Sequence, residues 1–425
     1  MDNQTFLQQQ FQISPDVVKL IQEHEIKLAP VFEEFQKVAE YNQYKVLAAF
    51  QKEKISTRHF KPTTGYGYDS EGRDALGGVF KHIFGAQAAI VSPLLASGTH
   101  TISVALFGLL RPNDAFLCIT GKPYDTLLGV IGAHSETPPD GSLRDFGIEY
   151  LEVPLLPGGK FDIPAICKTL KQHTNIKVIY AQRSRGYEFR PSISIDQLKD
   201  VIEKIRPAAH NIPIIVDNCY CEFCSELEPT QVGAQLIMGS LIKNPGGGLA
   251  PTGGYIAGDE DLISKISHRL TAANLGLEIG SYAASYTPFF QGIFLASHVT
   301  CQALKGAALF SSVLENRGFE VFPTWSDLRR DITQSICFGR EEPMVQFIQG
   351  IQQASPVDSH VTPYGWDMPG YDDPVIMAAG TFVDGASIEL SADGPIRPPY
   401  IAYLQGGLTY EHTKLALMYA LQKME

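Results

Sequence analysis

An aspartate and a lysine at the ends of two successive apolar runs form the pair in this sequence best suited to chemistry. Asp217 ends the run Pro213–Asp217, and Lys243 follows the run Leu236–Ile242. In an open α/β sheet both positions lie at the carboxyl ends of strands, where ligands bind. A desolvated lysine forms Schiff bases, and a carboxylate keeps a pyridinium nitrogen protonated. The alternative is that Asp217 caps a turn while Lys243 reaches solvent.

A candidate anion site lies at Ala96–Thr101, where a helical pattern follows an apolar run. The N-terminus of a helix offers backbone N–H groups and a partial positive charge, which suit a phosphate. Ser97 is also a good helix N-cap, so capping alone is the alternative. The glycines Gly246–Gly248 follow Lys243 instead of preceding it, so they do not match a P-loop. They indicate close backbone packing around a cofactor or a tight turn.

Other residues and motifs in the sequence give weaker indications of function. Cys219, Cys221 and Cys224 resemble a metal cluster, with His210 as a fourth ligand, but no second matching pair of cysteines accompanies them and we predict no metal site. No His-Glu-x-x-His or Gly-x-Ser-x-Gly motif supports a hydrolase, and no Gly-x-Gly-x-x-Gly follows the first strands. Arg397 stands between prolines, where a fixed arginine suits carboxylate binding and an ordinary surface arginine is the equal alternative.

Composition and charge exclude several classes of protein. The chain has 425 residues and a formal net charge of -12, without a Lys/Arg-rich run, which argues against a nucleic-acid partner. Neither a secretory signal nor an apolar window of about 18 residues is present, so we expect no membrane span. Seven cysteines fit a reducing compartment, and we expect a cytoplasmic protein. Charged residues make up only 19%, which indicates that surface is hidden, for example by self-association.

Short apolar runs alternate with helical patterns between about residues 74 and 258, which predicts βαβ units and a mostly parallel sheet. The runs are 88–91, 115–120, 150–154, 177–182, 213–217, 236–242 and 254–257. Predicted helices cover 15–54, 97–110, 124–133, 163–173, 195–205, 281–318, 343–354 and 410–424, and later strands 332–338, 378–383 and 387–391. We therefore expect an N-terminal helical segment (1–60), a large domain (61–310) and a smaller α+β C-terminal domain (311–425).

Together these features resemble a pyridoxal-phosphate (PLP) enzyme of the aspartate-aminotransferase type, PLP fold type I. Within that type the chain is similar to the cystathionine/methionine gamma-lyase group, and most similar to its methionine gamma-lyase-like, or aluminium resistance protein, branch. The resemblance covers about residues 60–400. Its most specific stretches are 65–76, 96–99, 216–220 and 239–248.

The resemblance implies a role for each matching residue around pyridoxal 5′-phosphate. Lys243 would hold the cofactor and shuttle the Cα proton, and Asp217 would pair with the pyridinium nitrogen. Tyr124 would stack on the ring and assist protonation of the leaving group. The residues that would hold the phosphate are Ser97, Gly98, Thr99 and Ser240.

The resemblance also implies sites shared between subunits, and hence a homodimer or homotetramer. Tyr66 and Tyr68 fall where the family's Tyr-x-Arg segment reaches the phosphate of a neighbouring subunit, although Tyr68 replaces the arginine. Arg397 would bind the α-carboxylate of an amino-acid substrate. The loop Gln182–Tyr187 departs from the family pattern, and we add its arginines, Arg183 and Arg185, to the candidates for anion and substrate binding. Ile242 stands where the lyases carry a hydroxyl donor.

The expected activity is a carbon–sulfur β- or γ-elimination on a sulfur-containing amino acid, giving a keto acid, ammonia and a thiol. Transamination, decarboxylation and aldol cleavage are alternatives within the same cofactor chemistry. A non-catalytic metal-tolerance protein is an alternative from another class, although hard Al³⁺ prefers oxygen ligands to a thiol cluster.

Overall fold

The computed structural model describes residues 2–134, 136–368 and 373–425. The chain divides into two compact units, Tyr41–Leu295 and Met1–Glu40 with Ala296–Glu425, which we call the large unit and the second unit. The domain boundaries predicted from the sequence lie after residues 60 and 310. They remain a prediction and do not coincide with the division into these two units.

The large unit is built on a sheet that is mostly parallel, as expected. Its described strands are β1 (Ala88–Ser92), β2 (Ala115–Cys118), β3 (Glu149–Glu152), β4 (Ile176–Gln182), β5 (Ile214–Asp217), β6 (Leu236–Ser240) and β7 (Gly254–Gly258). Their order is β1-β7-β6-β5-β4-β2-β3, with β7 antiparallel to both neighbours and the other pairs parallel. The central strands are apolar and buried, because parallel strands are covered by helices on both faces.

The described α-helices are α1 (Asn3–Phe11), α2 (Pro15–Lys52), α3 (Glu71–Ile83), α4 (Gly98–Leu109), α5 (Asp125–Ile131), α6 (Ile163–Gln172), α7 (Ile195–Ala209), α8 (Glu260–Leu270), α9 (Thr287–Asn316), α10 (Glu341–Gln353) and α11 (Tyr410–Met424). Of these, α4 to α7 alternate with the strands β1 to β5 of the large unit. Side-chain caps define several starts: Ser97 accepts from the His100 N–H, and Ser194 forms a capping box with Gln197.

The second unit contains an antiparallel sheet, and here two expected strands were placed wrongly. The strands are β8 (Glu320–Phe322), β9 (Thr333–Cys337), β10 (Val375–Ala378), β11 (Ser391–Pro395) and β12 (Ile401–Gln405), in the order β10-β11-β12-β9-β8. The strand expected at 378–383 corresponds to β10, which already ends at residue 378. The strand expected at 387–391 corresponds to β11, which begins only at residue 391. The strands β8 and β12 and the helices α1, α3 and α8 were not predicted from the sequence.

The composition of β11 explains that error. Its sequence, Ser-Ala-Asp-Gly-Pro, has the residues of a turn, yet the whole strand is buried. A β-carbon at Gly394 would come within 2.8 Å of Ile348 Cδ1 and 2.9 Å of Met344 Sδ. The absence of a side chain at Gly394 therefore lets α10 pack closely on β11, which is a tertiary constraint that local propensity does not express.

One described helix, α9, is long and apolar enough to cross a membrane by length and composition alone. Most of its apolar window is buried within the protein. A buried core helix passes the same test, so this helix is weak evidence for a span.

Candidate active site

Three neighbouring parallel strands, β4, β5 and β6, end at one edge of the large sheet and present the candidate residues there. The strands terminate in Gln182, Asp217 and Ser240, and Gln182 lies opposite Asp217 in the register. The N-terminus of α4 meets the same edge. A β-carbon at Gly98 would lie 3.4 Å from Ser240 Cβ and 4.0 Å from Lys243 Nζ. The structure thus brings together residues from four separate segments of the sequence.

Lys243 is the centre of this cluster. Its side chain is partly buried, with Nζ 3.9 Å from the centre of the Tyr220 ring, and within the described residues Nζ forms no ion pair. Burial lowers the pKa of the ammonium, but the acidic groups Cys219, Tyr220 and Asp217 raise it by more, so the net direction is upward.

The loop that carries Lys243 is fixed by its neighbours. Asn244 Nδ2 donates to the carbonyls of Tyr220 and Glu222 at 3.1 and 3.0 Å. A β-carbon at Gly246 would lie 1.6 Å from the Leu241 carbonyl oxygen, so the turn requires glycine at this position. The glycines after Lys243 therefore serve a tight turn, one of the two interpretations that the sequence left open.

Asp217 is buried and its two carboxylate oxygens are separately held. Oδ1 accepts from the Cys219 backbone N–H at 3.1 Å, and Oδ2 accepts from the Tyr180 hydroxyl at 3.3 Å. These two donors fix the orientation of the carboxylate. This orientation leaves Asp217 suited to face a cationic ring nitrogen.

Tyr124 stands directly before α5 and is oriented by two contacts. Its hydroxyl lies 3.1 Å from Thr99 Oγ1, and its backbone N–H donates to Gln182 Oε1 at 3.0 Å. Burial, and next the charge of Asp217, raise the pKa of the phenol far above its usual value. Tyr124 is therefore a protonated hydroxyl, able to donate.

Ser97 caps the N-terminus of α4, and this capping is compatible with an anion site at the same helix end. Ser97 Oγ accepts from the His100 N–H at 3.0 Å, as an N-cap does. Thr99 Oγ1 lies 3.1 Å from both Tyr124 Oη and Thr126 Oγ1. Ser240 Oγ accepts from the Ile242 N–H at 3.3 Å. The phosphate-binding role of these hydroxyls stays a prediction.

The candidate arginines differ in their surroundings. Arg183 and Arg185 are buried in the loop after β4, and Arg183 donates from Nη1 to Asn218 Oδ1 at 2.6 Å. Arg397 belongs to the second unit, is about half exposed, and donates from Nη1 to Asp373 Oδ2 at 2.7 Å. Their assignment to substrate binding stays a prediction.

Tyr66 and Tyr68 lie in the large unit with their rings stacked on each other, 5.3 Å between centroids. Both are exposed, at 66% and 59%. Their loop is nevertheless fixed: the Gly280 N–H donates to the Tyr66 carbonyl at 2.8 Å, and a β-carbon at Gly67 would lie 2.8 Å from Ser281 Cα. Two apolar rings are thus held outward in the isolated chain.

The cysteines do not form a metal centre in the described part of the chain. No group of three or more described His, Cys, Asp or Glu residues is arranged to hold a metal ion. Cys219, Cys221 and Cys224 are buried, and burial strongly raises the pKa of the Cys219 thiol, which opposes thiolate ligation. His210 ends α7 as its C-cap residue. Cys219 Sγ would lie 3.6 Å from a Gly98 β-carbon, so this thiol borders the candidate site.

Sequence reasoning did not assign roles to a buried pair, Glu222 and Tyr255, behind the lysine loop. The Tyr255 hydroxyl donates to Glu222 Oε1 at 2.8 Å, and within the described residues Oε2 has no hydrogen-bond partner. A β-carbon at Gly239 would lie 2.6 Å from Glu222 Oε1, so glycine there makes room for the pair. Burial, with a contribution from nearby Glu228, raises the pKa of Glu222 to about 8.

Glu222→Gln is expected to change how stability depends on pH. The folded pKa of Glu222 is about 8 against an ordinary 4.5, so the folded state holds a proton that the unfolded state releases. The resulting stabilisation is fully present below pH 4.5 and declines by about 1.4 kcal/mol per pH unit until pH 8. The melting temperature of the wild type should therefore fall by several degrees relative to Glu222→Gln between pH 5 and pH 8.

Exposed Glu226→Gln is the matched control, because it makes the same substitution four residues along the same loop. Its difference from the wild type should stay constant over this range. A difference for Glu222→Gln that does not change with pH would show that Glu222 is ionised in the folded protein.

The residues at this sheet edge fit pyridoxal 5′-phosphate by their chemistry. A lysine without an ion pair among the described residues can hold an aldehyde, and Asp217 can face a pyridinium nitrogen. Tyr124 offers an aromatic face, and a helix N-terminus with three hydroxyls offers donors for a phosphate. The narrow gap at Gly98, which a β-carbon would fill, lets that helix terminus approach the lysine. The fold and the site define a PLP-dependent enzyme of fold type I.

The chain belongs to the methionine gamma-lyase family, whose sequence profile matches residues 17–425. Pyridoxal 5′-phosphate is its cofactor. The resemblance stated from the sequence is thereby confirmed, as are the fold class and the cofactor.

Individual relatives agree with this placement. An uncharacterized protein of Bacillus subtilis (strain 168) is 50% identical over 406 residues, 96% of each chain. A carbon-sulfur lyase involved in aluminum resistance from Clostridium novyi NT is 45% identical, with a TM-score of 0.95 over the whole of both chains. A pyridoxal-5′-phosphate-dependent protein from Escherichia coli shares the fold at 16% identity, with a TM-score of 0.62 over 91% of this chain and 95% of its own.

Proposed function

We propose that this enzyme is a carbon–sulfur lyase that eliminates a thiol from the β- or γ-carbon of a sulfur-containing amino acid. A keto acid and ammonia are the other products, after water is added. The observation that carries the proposal is the convergence of Lys243, Asp217 and Tyr124 at one sheet edge, in a chain 45% identical to a protein named a carbon-sulfur lyase.

Three residues of the chain have separate roles in the proposed reaction. Lys243 Nζ carries the cofactor and then takes the proton from Cα of the substrate. Asp217 holds the ring nitrogen in its cationic form, and the bound cofactor withdraws electrons from Cα. Tyr124, whose raised pKa keeps its hydroxyl protonated, gives that proton to the departing sulfur.

The substrate carboxylate calls for a cation, and Arg397 is the residue we assign to it. The ion pair of Arg397 with Asp373 occupies one guanidinium nitrogen, Nη1. A bidentate carboxylate would compete for that nitrogen. Arg185 is a further candidate, because it lies in the loop directly after β4.

A substrate screen tests the proposal. The purified holoenzyme is incubated separately with cystathionine, cysteine and methionine, and the keto acid, ammonia and thiol are quantified. We expect equal amounts of the three products from at least one substrate. Pyruvate identifies β-elimination, and 2-oxobutyrate identifies γ-elimination.

Other products would contradict the proposal. Keto acid without thiol indicates transamination, carbon dioxide indicates decarboxylation, and an aldehyde indicates aldol cleavage. Turnover of none of the three compounds would overturn the assignment to sulfur amino acids. A direct metal-tolerance role, suggested by the names of relatives, would instead appear as Al³⁺ binding to cofactor-free protein in calorimetry.

The assembly we propose is a homodimer or homotetramer in the cytoplasm, with Tyr66 and Tyr68 reaching a neighbouring subunit's site. Their exposed and fixed rings support this proposal. Mixed oligomers test it. Lys243→Ala chains and Tyr66→Ala/Tyr68→Ala chains should each be inactive, whereas co-expression should restore up to about a quarter of the activity.

Recovery is expected because one site in each mixed pair combines an intact lysine with intact tyrosines from the other chain. Light scattering is the control that oligomers form. A monomeric wild type, or mixed oligomers without recovered activity, would contradict the shared site.

A further inference from the structure

Three buried polar side chains form a line behind Asp217. Arg183 Nη1 donates to Asn218 Oδ1 at 2.6 Å, and Asn218 Nδ2 donates to Glu228 Oε2 at 2.9 Å. The exposed fraction is 1% for Arg183 and 0% for Asn218 and Glu228. Within the described residues, Arg183 and Glu228 form no direct ion pair, so the Asn218 amide joins them.

The direction of these hydrogen bonds is fixed at both ends. A guanidinium only donates and a carboxylate only accepts, so the Asn218 oxygen must face Arg183 and its nitrogen must face Glu228. The second oxygen of Glu228, Oε1, accepts from the Phe223 N–H at 3.0 Å. Arg183 Nε donates to the Ile193 carbonyl at 3.2 Å. An amide held this way cannot turn over, which fixes the side chain next to Asp217.

The same residues also hold the backbone of Asp217. The Arg183 N–H donates to the Asp217 carbonyl at 3.1 Å, and the Asn218 N–H donates to the Met238 carbonyl at 3.0 Å. The turn that follows lets the Cys219 N–H reach Asp217 Oδ1. The orientation of the carboxylate thus depends on the position of Asn218.

We propose that Arg183 and Glu228 are positioning residues that act through Asn218 to hold Asp217 in the orientation required to protonate the cofactor's ring nitrogen. Breaking a buried charged network is costly because it leaves an uncompensated group behind. Mutation of residues that orient the direct ligands of a metal commonly lowers affinity by about 10- to 100-fold, and we expect an effect at the lower end of this range here. The inference rests on the proposed pairing of Asp217 with the ring nitrogen, and it does not depend on which bond the enzyme breaks.

The test uses two readouts on the full-length protein reconstituted with pyridoxal 5′-phosphate labelled with ¹⁵N in the ring. One is the dissociation constant of the cofactor, and the other is the ring-nitrogen chemical shift as a function of pH. Arg183→Met and Glu228→Gln should each weaken cofactor binding about 10-fold and move the shift toward the unprotonated value. Arg183→Lys keeps a donor for Asn218 and should recover part of both effects.

Combining Arg183→Met with Glu228→Gln should add little to either single change, because both act through one amide. Exposed Arg317→Met and Glu226→Gln are the matched controls and should leave both readouts unchanged. If Arg183→Met does not fold, Arg183→Lys and Glu228→Gln carry the test.

Two results would overturn the inference: variants that only melt at lower temperature, and variants that lose affinity with an unchanged ring-nitrogen shift. Asp217→Asn separates this failure from that of the underlying site. If Asp217→Asn moves the shift and the network variants do not, only the inference fails. If Asp217→Asn leaves the shift unchanged, the pairing of Asp217 with the ring nitrogen fails as well.

Discussion

Lys243→Ala is expected to abolish covalent attachment of the cofactor and to lower turnover by about 10³-fold or more. Lys243 approaches the N-terminus of α4, where a β-carbon at Gly98 would lie 4.0 Å from its Nζ. Its removal eliminates the group that holds the cofactor and the base that takes the Cα proton. The measurement is the visible absorbance of the purified protein together with initial rates on the best substrate from the screen.

Lys204→Ala is the matched control, since Lys204 is an exposed lysine of the same unit whose ion pair is with Asp200 on α7. It should keep both the absorbance and the rate. Wild-type activity in Lys243→Ala would contradict the assignment of Lys243, and restored activity on addition of a small primary amine would support it.

Asp217→Asn is expected to lower turnover by about 100-fold or more and to weaken cofactor binding. An amide has no negative charge with which to hold a ring nitrogen in its cationic form. The asparagine oxygen can still accept from the Cys219 N–H, and the Tyr180 hydroxyl can rotate to accept from the new amide N–H, so the fold should tolerate the change. Rates and cofactor titrations measure both effects.

Asp200→Asn makes the same substitution at an exposed position and serves as the control. A second consequence concerns Tyr124, whose phenol pKa is raised by burial and by the charge of Asp217. Removing that charge should lower this pKa. An unchanged rate in Asp217→Asn would contradict its pairing with the ring nitrogen.

Much of the large unit could be predicted from sequence because its strands are apolar runs separated by single helices. Such runs are buried on both faces, and they predicted the ends of β4 and β5 correctly, whereas β6 ends two residues before its predicted end at residue 242. Asp217 and Lys243 were found because polar residues at the ends of buried strands stand out. The strand β11 did not stand out, because its residues are typical of a turn and it forms a buried strand on which α10 packs closely.

The buried residues that support the site could not be predicted from the sequence, because their contacts join segments that are distant along the chain. Arg183 was grouped with the substrate-binding candidates because an arginine in a departing loop suggests an anion. Its partner Asn218 is distant in the sequence and becomes visible only when β4 lies beside β5. Likewise, nothing in the sequence joins Glu222 to Tyr255, which meet through packing across Gly239.

The central claim is that this sheet edge holds pyridoxal 5′-phosphate on Lys243. Borohydride reduction of the holoenzyme, followed by proteolysis and mass spectrometry of the peptides, tests it most directly. We predict a reduced cofactor adduct on the peptide that contains Lys243, in a stoichiometry of about one per chain. An adduct on a different lysine, or none on a protein that retains activity, would contradict the claim.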